Sequence, residues 1–291
     1  MRIGFVGAGK VATAFGRYLH GHGVTIAGYY DHHPEKREHA ARTTGGRSCR
    51  DGAEVAALSD VVLITTRDDQ IQGACEALCR QQAIQARHRV GHMSGAHASL
   101  ILEAAARSGA AIFSLHPLQA FAQEEKALAD LPHTWFSLEG EDARLSDIEA
   151  LMTRIGNRCL RLQPQGKPLY HLAACILSNY LVTLMACGID ALEKSGIPPM
   201  EGFQAMRPLI EGTIANIAQL GPARALTGPI ARGDRSTVIH HLEALAAAGQ
   251  GGLQTFYAFM GLKTLDLALQ TVLKEPDKAE ALRKVLEKNH P

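Results

Sequence analysis

The residues of this chain that could do chemistry fall into separate clusters, each defined by type and spacing. The first is Gly7-x-Gly9-x-x-Ala12, entered from the apolar run Ile3–Val6 and leading into a helical stretch. In that setting Gly7 permits a tight turn, Gly9 lets backbone approach a pyrophosphate, and Ala12 lets helix and strand pack closely. The helix N-terminus adds free N–H groups and a positive dipole end, so Gly7, Ala8, Gly9, Lys10, Val11 and Ala12 are expected to hold the diphosphate of a dinucleotide. Asp31 closes a second apolar run, Val24–Tyr30, where a carboxylate would accept ribose hydroxyls and repel a 2′-phosphate. His32, His33, Lys36 and Arg37 follow at once and could answer such a phosphate, unless they are a solvated loop and first helical turn. The expected cofactor is NAD or NADP, with NAD preferred on the strength of Asp31; His32 is expected beside it.

Three further groups close apolar strands: Thr65-Thr66-Arg67-Asp68-Asp69, His92-Met-Ser94-Gly95 and His116-Pro117-Leu-Gln119. Polar residues at the carboxyl ends of parallel strands face the ligand crevice. Thr65, Thr66 and Arg67 are therefore expected near the cofactor, and Ser94 and His116 near its nicotinamide end. A lone strand-end histidine such as His92 more often bonds its own loop, whereas Pro117 fixes the chain beside His116. Lys167, His171, Cys175 and Ser178 then recur at helical spacing, which predicts one face with Asn179 at its margin. Burying a lysine and a histidine unpaired costs several kcal/mol, so this face demands partners: either reacting groups, or a solvated Lys167 and a His171 bonded to backbone. Lastly, Gly228, Pro229 and Gly233 shape a loop holding Arg232, a bidentate clamp for a substrate carboxylate, before Asp234 or Ser236 caps the next helix.

Positioning these groups takes a particular set of elements. Strands are expected at Asp60–Thr66, Arg89–His92, Ala110–Leu115 and Trp135–Leu138, with helices at about Glu35–Arg42 and Gln70–Gln82. The alternation predicts a doubly wound α/β sheet. The segment Gln163-Pro-Gln-Gly-Lys-Pro168 marks a change of architecture, beyond which helical runs are expected near 168–194, 200–220, 236–247 and 253–273, with a charged tail over 277–288. The predicted domains are a Rossmann dinucleotide-binding domain over 1–163 and an all-α domain over 164–291. With 291 residues and 46% hydrophobic content, the chain can bury two cores.

A net charge of +1 argues against nucleic acid and anionic membranes as partners. No run reaches the roughly 18 uninterrupted apolar residues of a spanning helix, and the N-terminus is the glycine motif itself, so a cytoplasmic protein is expected. Six scattered cysteines read as free thiols, with no set of ligands for a metal.

Over nearly the whole chain, these motifs resemble one bacterial family. Gly7–Ala12, Arg67–Ile71, His92–Ala96, His116–Phe121, Lys167–His171 through Ser178-Asn179-Tyr180, and Leu226–Asp234 look like the Rossmann-like oxidoreductases whose second half is domain of unknown function 2520. The wider resemblance is to the 6-phosphogluconate dehydrogenase-like superfamily, with pyrroline-5-carboxylate reductase, ketopantoate reductase and prephenate dehydrogenase among its members. It implies a second, helical domain that makes a homodimer, and catalytic roles for Lys167 and Asn179. Prephenate dehydrogenases carry a Ser and a His-Pro at strand ends resembling Ser94 and His116-Pro117, which implies that His116 helps catalysis. Asp31-His32 stands where relatives often have Ser-Arg, and Arg67 replaces a common proline. The expected activity is hydride transfer between a nicotinamide cofactor and a small, carboxylate-bearing substrate in a cleft between the domains. Lys167, His116, His171, Asn179 and Ser94 would be the catalytic group, and Ser178 and Arg232 would bind substrate. An idle dinucleotide sensor or a dimeric scaffold is the alternative.

Overall fold

A computed structural model of the chain describes residues 1–140 and 143–290. It divides into two compact units, Met1–Ser178 and the residues from Asn179 onward. The first is built on an eight-stranded sheet in the order β3-β2-β1-β4-β5-β6-β7-β8. Its strands are β1 (Arg2–Val6), β2 (Thr25–Tyr30), β3 (Arg47–Ser48), β4 (Val61–Ile64), β5 (Arg89–His92), β6 (Ala111–Pro117), β7 (Phe136–Glu139) and β8 (Cys159–Leu162). The strands β1 to β6 pair in parallel, β7 runs antiparallel to β6, and β8 is parallel to β7.

Alternation along β4 shows why this sheet carries helices on both faces. Val61 and Leu63 enter one core with Phe5, Phe15 and Phe113, while Val62 and Ile64 enter the other with Ile71, Leu78 and Val90. Successive side chains of a strand point to opposite faces, so a strand buried on both must be apolar throughout. The covering helices are α1 (Lys10–Gly21), α2 (Pro34–Thr44), α3 (Gly52–Leu58), α4 (Ile71–Arg80), α5 (Glu103–Arg107), α6 (Glu124–Asp130) and α7 (Ser146–Arg154). Two strands escaped the sequence reading. The strand β3 has two residues, and β8 interrupts its apolar residues with the exposed Arg161, leaving neither run nor alternation to detect.

The sheet ends at Leu162, close to the expected boundary, but α8 (Lys167–Ala174) groups with the sheet because Lys167 and Tyr170 bond to β6. A π-helical turn, Cys175–Asn179, follows α8. The second unit is all helix: α9 (Tyr180–Lys194), α10 (Pro199–Leu220), α11 (Pro222–Ala225), α12 (Pro229–Arg232), α13 (Arg235–Ala247), α14 (Gly251–Thr271) and α15 (Pro276–Lys288). Its core lies among α12 to α15, around Val238, Leu265, Leu282 and Leu286. By contrast α9 has no buried residue and α10 only Gly202. Within the helical residues Pro164–Lys194 an 18-residue window has a mean hydropathy of 1.9, so among the described residues one helix is long and apolar enough to cross a membrane by length and composition, although no uninterrupted apolar run announces it.

Candidate functional site

The carboxyl ends of β1, β2 and β4 enclose a cavity of about 550 Å³ lined by Gly7, Gly9, Asp31, His32, Lys36, Thr65, Thr66 and Arg67. Gly7 has φ of +106°, and a Cβ there would lie 2.6–2.8 Å from backbone atoms of Thr65 and Thr66, so only glycine lets β1 turn against the end of β4. At Gly9 a Cβ would meet nothing within 4 Å. That open space lies at the N-terminus of α1, whose first turn has no side-chain cap. Thr66 Oγ1 is buried without a hydrogen-bond partner, whereas Thr65 Oγ1 donates to the Gly7 carbonyl at 2.9 Å. Uncapped N–H groups, an open flank and an orphaned hydroxyl suit the phosphates and polar edge of a dinucleotide.

Of the other residues expected here, Ala8 and Ala12 are buried and pack the turn. Val11 is half-buried. The Lys10 ammonium is tied to the Ala122 carbonyl at 2.6 Å. Asp31 accepts from Ala8 N–H at 2.8 Å through one oxygen and from His33 N–H at 2.9 Å through the other, so both oxygens brace the glycine turn and the following loop. His32 and Lys36 are exposed on the rim, and so is Arg67, which pairs with Asp69 at 3.3 Å.

A second polar cluster lies on the sheet where β6 meets β7. Ser114 pairs with Glu139 and His116 with Ser137 across the two strands, and partners so paired share a face. Helix α8 covers this square: the Lys167 ammonium donates to Ser114 Oγ at 2.6 Å, and the Tyr170 hydroxyl lies 2.8 Å from His116 Nδ1. His171, one residue on, has its ring 6.5 Å from that of His116, a buried Nδ1 without a partner, and Nε2 at 3.6 Å from Cys175 Sγ. Gly95 closes the group, since a Cβ there would stand 2.8 Å from both His116 Nε2 and His171 Nδ1.

Burial governs the protonation of this cluster. It holds Lys167 down at about 8, with the Glu139 charge acting against it. Burial also lowers His116 to about 4, helped by the nearby Lys167 and His171 charges and opposed by Asp68. His116 is thus a neutral ring near pH 7, hydrogen-bonded to a tyrosine and backed by a buried cation.

Lys167 is not solvated at the linker: it is fully buried, its ammonium donating to Ser114 Oγ. Ser94 is spent on its own loop, donating to Asp68 at 2.9 Å and accepting from Ala96 and His97 N–H. His92 is a loop anchor, taking Ser94 N–H on Nδ1 with Nε2 at 3.3 Å from the Ala98 carbonyl, and burial pushes it to about 3. Ser178 and Asn179 fall in the π turn and are exposed, since the wider turn breaks the α-helical phase that would carry the Lys167–His171 face onward. Arg232 ends α12, exposed, in the second unit, where Asp234 caps α13 by accepting from Thr237 N–H. Tyr170, Ser114, Ser137, Glu139 and Asp68 were missed as site residues. The signal was there: serine, histidine and glutamate at alternate positions of two otherwise apolar strands.

Comparisons with known proteins fit this architecture. Residues 1–117 match the Rossmann-like domain, and residues 134–264 match domain of unknown function DUF2520. A search of curated protein sequences finds no match. Among solved structures, BF3122 from Bacteroides fragilis is 22% identical, covering 90% of this chain and 97% of its own, with a TM-score of 0.72. TM1727 from Thermotoga maritima is 24% identical over 92% of this chain and 98% of its own, also at 0.72. A reductive aminase from Aspergillus terreus, solved with NADPH4, cyclohexanone and allyl amine, is 14% identical over 99% of this chain and 92% of its own, at 0.60.

Proposed function

We propose, for a chain that belongs to the Rossmann-like proteins bearing a DUF2520 domain, a nicotinamide-dependent oxidoreductase acting on the C=N or C=O group of a small, carboxylate-bearing molecule. The observation that carries this reading is the crevice of about 550 Å³ with its open Gly9 flank and orphaned Thr66 hydroxyl, at the same sheet edge that presents His116. Gly7, Ala8, Gly9 and the first turn of α1 would hold the diphosphate, with Thr65 and Thr66 beyond it. Bound nicotinamide supplies a hydride donor or acceptor. The chain supplies the proton: with Tyr170 donating to Nδ1, the His116 ring carries its hydrogen on Nε2, directed past Gly95, and as that hydrogen passes to the reduced substrate the Tyr170 proton moves to Nδ1, leaving a neutral ring and a tyrosinate that solvent reprotonates. Lys167 acts from behind, its charge helping to keep His116 neutral. A reductive aminase sharing this fold makes imines the first compounds to try.

For the cofactor, we set the preference for NAD aside in favour of NADP. Both Asp31 oxygens are engaged by backbone N–H, while Lys36, His32, His33 and Arg67 line the same crevice as positive or protonatable groups. The test is titration with NADPH and NADH, followed by a screen of imines and 2-oxo acids at the NADPH absorbance band. Lys36→Glu with Arg67→Gln should weaken NADPH at least about tenfold and spare NADH, as expected for lost phosphate pairs. Absence of binding by either cofactor would sink the proposal.

In this reading a second copy of the chain covers the apolar faces of α9 and α10. Val182, Leu209 and Met200 are 67–70% exposed there, which is too much contiguous apolar surface for a free helix pair.

A further inference from the structure

We propose that Glu139 is a positioning residue of this site: the buried counter-ion that keeps the Lys167 side chain charged behind His116. Its importance to catalysis rests on the function proposed above, whereas its electrostatic hold on Lys167 does not. Glu139 ends β7 and is fully buried. Its carboxylate accepts from the Ser99 N–H at 2.6 Å and from the Ser99 hydroxyl at 2.7 Å. Both donors are neutral, and a carboxylate at such depth needs a positive charge close by to remain an anion.

Lys167 answers that need. It is fully buried on the same patch, and Ser114, which takes its hydrogen bond, is the direct cross-strand partner of Glu139. Side chains so paired have Cβ atoms about 5 Å apart, which brings carboxylate and ammonium into strong mutual field in a dry setting. The titratable groups facing Lys167 come from three strands: Glu139 from β7, His116 from β6 and His92 from β5, with the Tyr170 ring 5.5 Å away on its own helix. Only Glu139 among these favours the ammonium. Asp68 and His171 face His116 rather than Lys167. Glu139, Lys167 and His116 thus form a series in which the first charge helps to hold the second group's proton and the second charge helps to keep the third group neutral.

The test reads protonation directly and needs neither substrate nor cofactor, so its failure is separable from failure of the functional reading. Lysine labelled at ¹³Cε and histidine at ¹³Cε1 would be titrated by NMR, with Lys167→Met and His116→Gln used to assign the signals. In Glu139→Gln the Lys167 midpoint should fall by about one pH unit or more, while that of His116, which titrates where Lys167 keeps its proton in either protein, should not rise. Glu139→Asp, which keeps the charge, should return the Lys167 midpoint toward the wild type. An unchanged Lys167 midpoint in Glu139→Gln would make Glu139 merely an acceptor for Ser99 and overturn the proposal. Should Glu139→Gln fail to fold, ¹³Cδ-labelled glutamate in the wild type decides: Glu139 should show a carboxylate shift at pH 7, and a protonated carboxyl there would overturn it equally.

Discussion

A histidine held at about 4 is a neutral imidazole throughout the neutral range, and this sets what His116 can do. It accepts a proton without first shedding one, and it gives up its Nε2 hydrogen only as Tyr170 passes another to Nδ1, so transfer to a forming alkoxide or amine engages both residues. The same shift has a stability consequence. The folded values of His116 and His92 lie below the ordinary 6.5, so as pH falls the unfolded chain binds protons first. Their contribution is full above about 6.5 and is lost between there and about 4 for His116, and about 3 for His92. Melting temperature should therefore drop across that interval, and His116→Gln should remove on the order of 3 kcal/mol of the acid-induced loss. Equal pH slopes for variant and wild type would contradict this. Gly95 makes a second test at this scale. A methyl there would press on both imidazoles at 2.8 Å, so Gly95→Ala should displace His116 and cut turnover by about 10²–10³ while leaving NADPH affinity within twofold, about the loss of one acid–base group. Steady-state rates beside a fluorescence titration would tell.

At the scale of elements, the turn from β1 into α1 uses its two glycines for different reasons. Gly7 is required by its left-handed backbone and by Thr65–Thr66 behind it, Gly9 by what must lie in front. Gly7→Ala should thus lower stability by at least about 1–3 kcal/mol, the usual cost of a strained backbone residue. Gly9→Val should leave the melting temperature nearly unchanged and weaken NADPH tenfold or more, because branched carbon would occupy the space argued to hold phosphate. Calorimetry paired with cofactor titration separates the two. Much of this level was readable in advance: α10, α13 and α14 begin and end within two residues of the apolar periodicity, and β5 coincides with its predicted span. The π turn at Cys175–Asn179 was not, since its sequence, CILSN, carries no helix-breaking residue.

At the scale of the molecule, the helical unit holds an imbalance. Its helices α12 to α15 share a core, whereas α9 and α10 display Tyr180, Val182, Met200 and Leu209 to solvent. A homodimer closed over these faces would remove that imbalance. The wild type should sediment as a dimer at micromolar concentration, and Val182→Glu with Leu209→Glu should yield a monomer. A wild type that is monomeric in buffer, or that needs detergent to stay dispersed, would refute the dimer and turn attention to the apolar helix Pro164–Lys194 as a membrane element.

The sequence by itself determined the Rossmann-type first half, the helical second half and the dinucleotide turn, because each rests on local rules: period-two and period-3.6 burial, glycine at a constrained turn, proline at a helix start. It also picked out His116, Lys167 and His171 from their settings. Only the tertiary structure decided what they do. Whether Lys167 reaches a ligand or a buried serine depends on which strand α8 packs against, and whether Asp31 awaits a ribose or braces Ala8 and His33 depends on loop geometry. Glu139 became visible through the register of β6 with β7, an antiparallel pairing that sets Ser114 opposite it across some twenty intervening residues. Cross-strand register is a long-range property, and no local pattern in either strand encodes its partner.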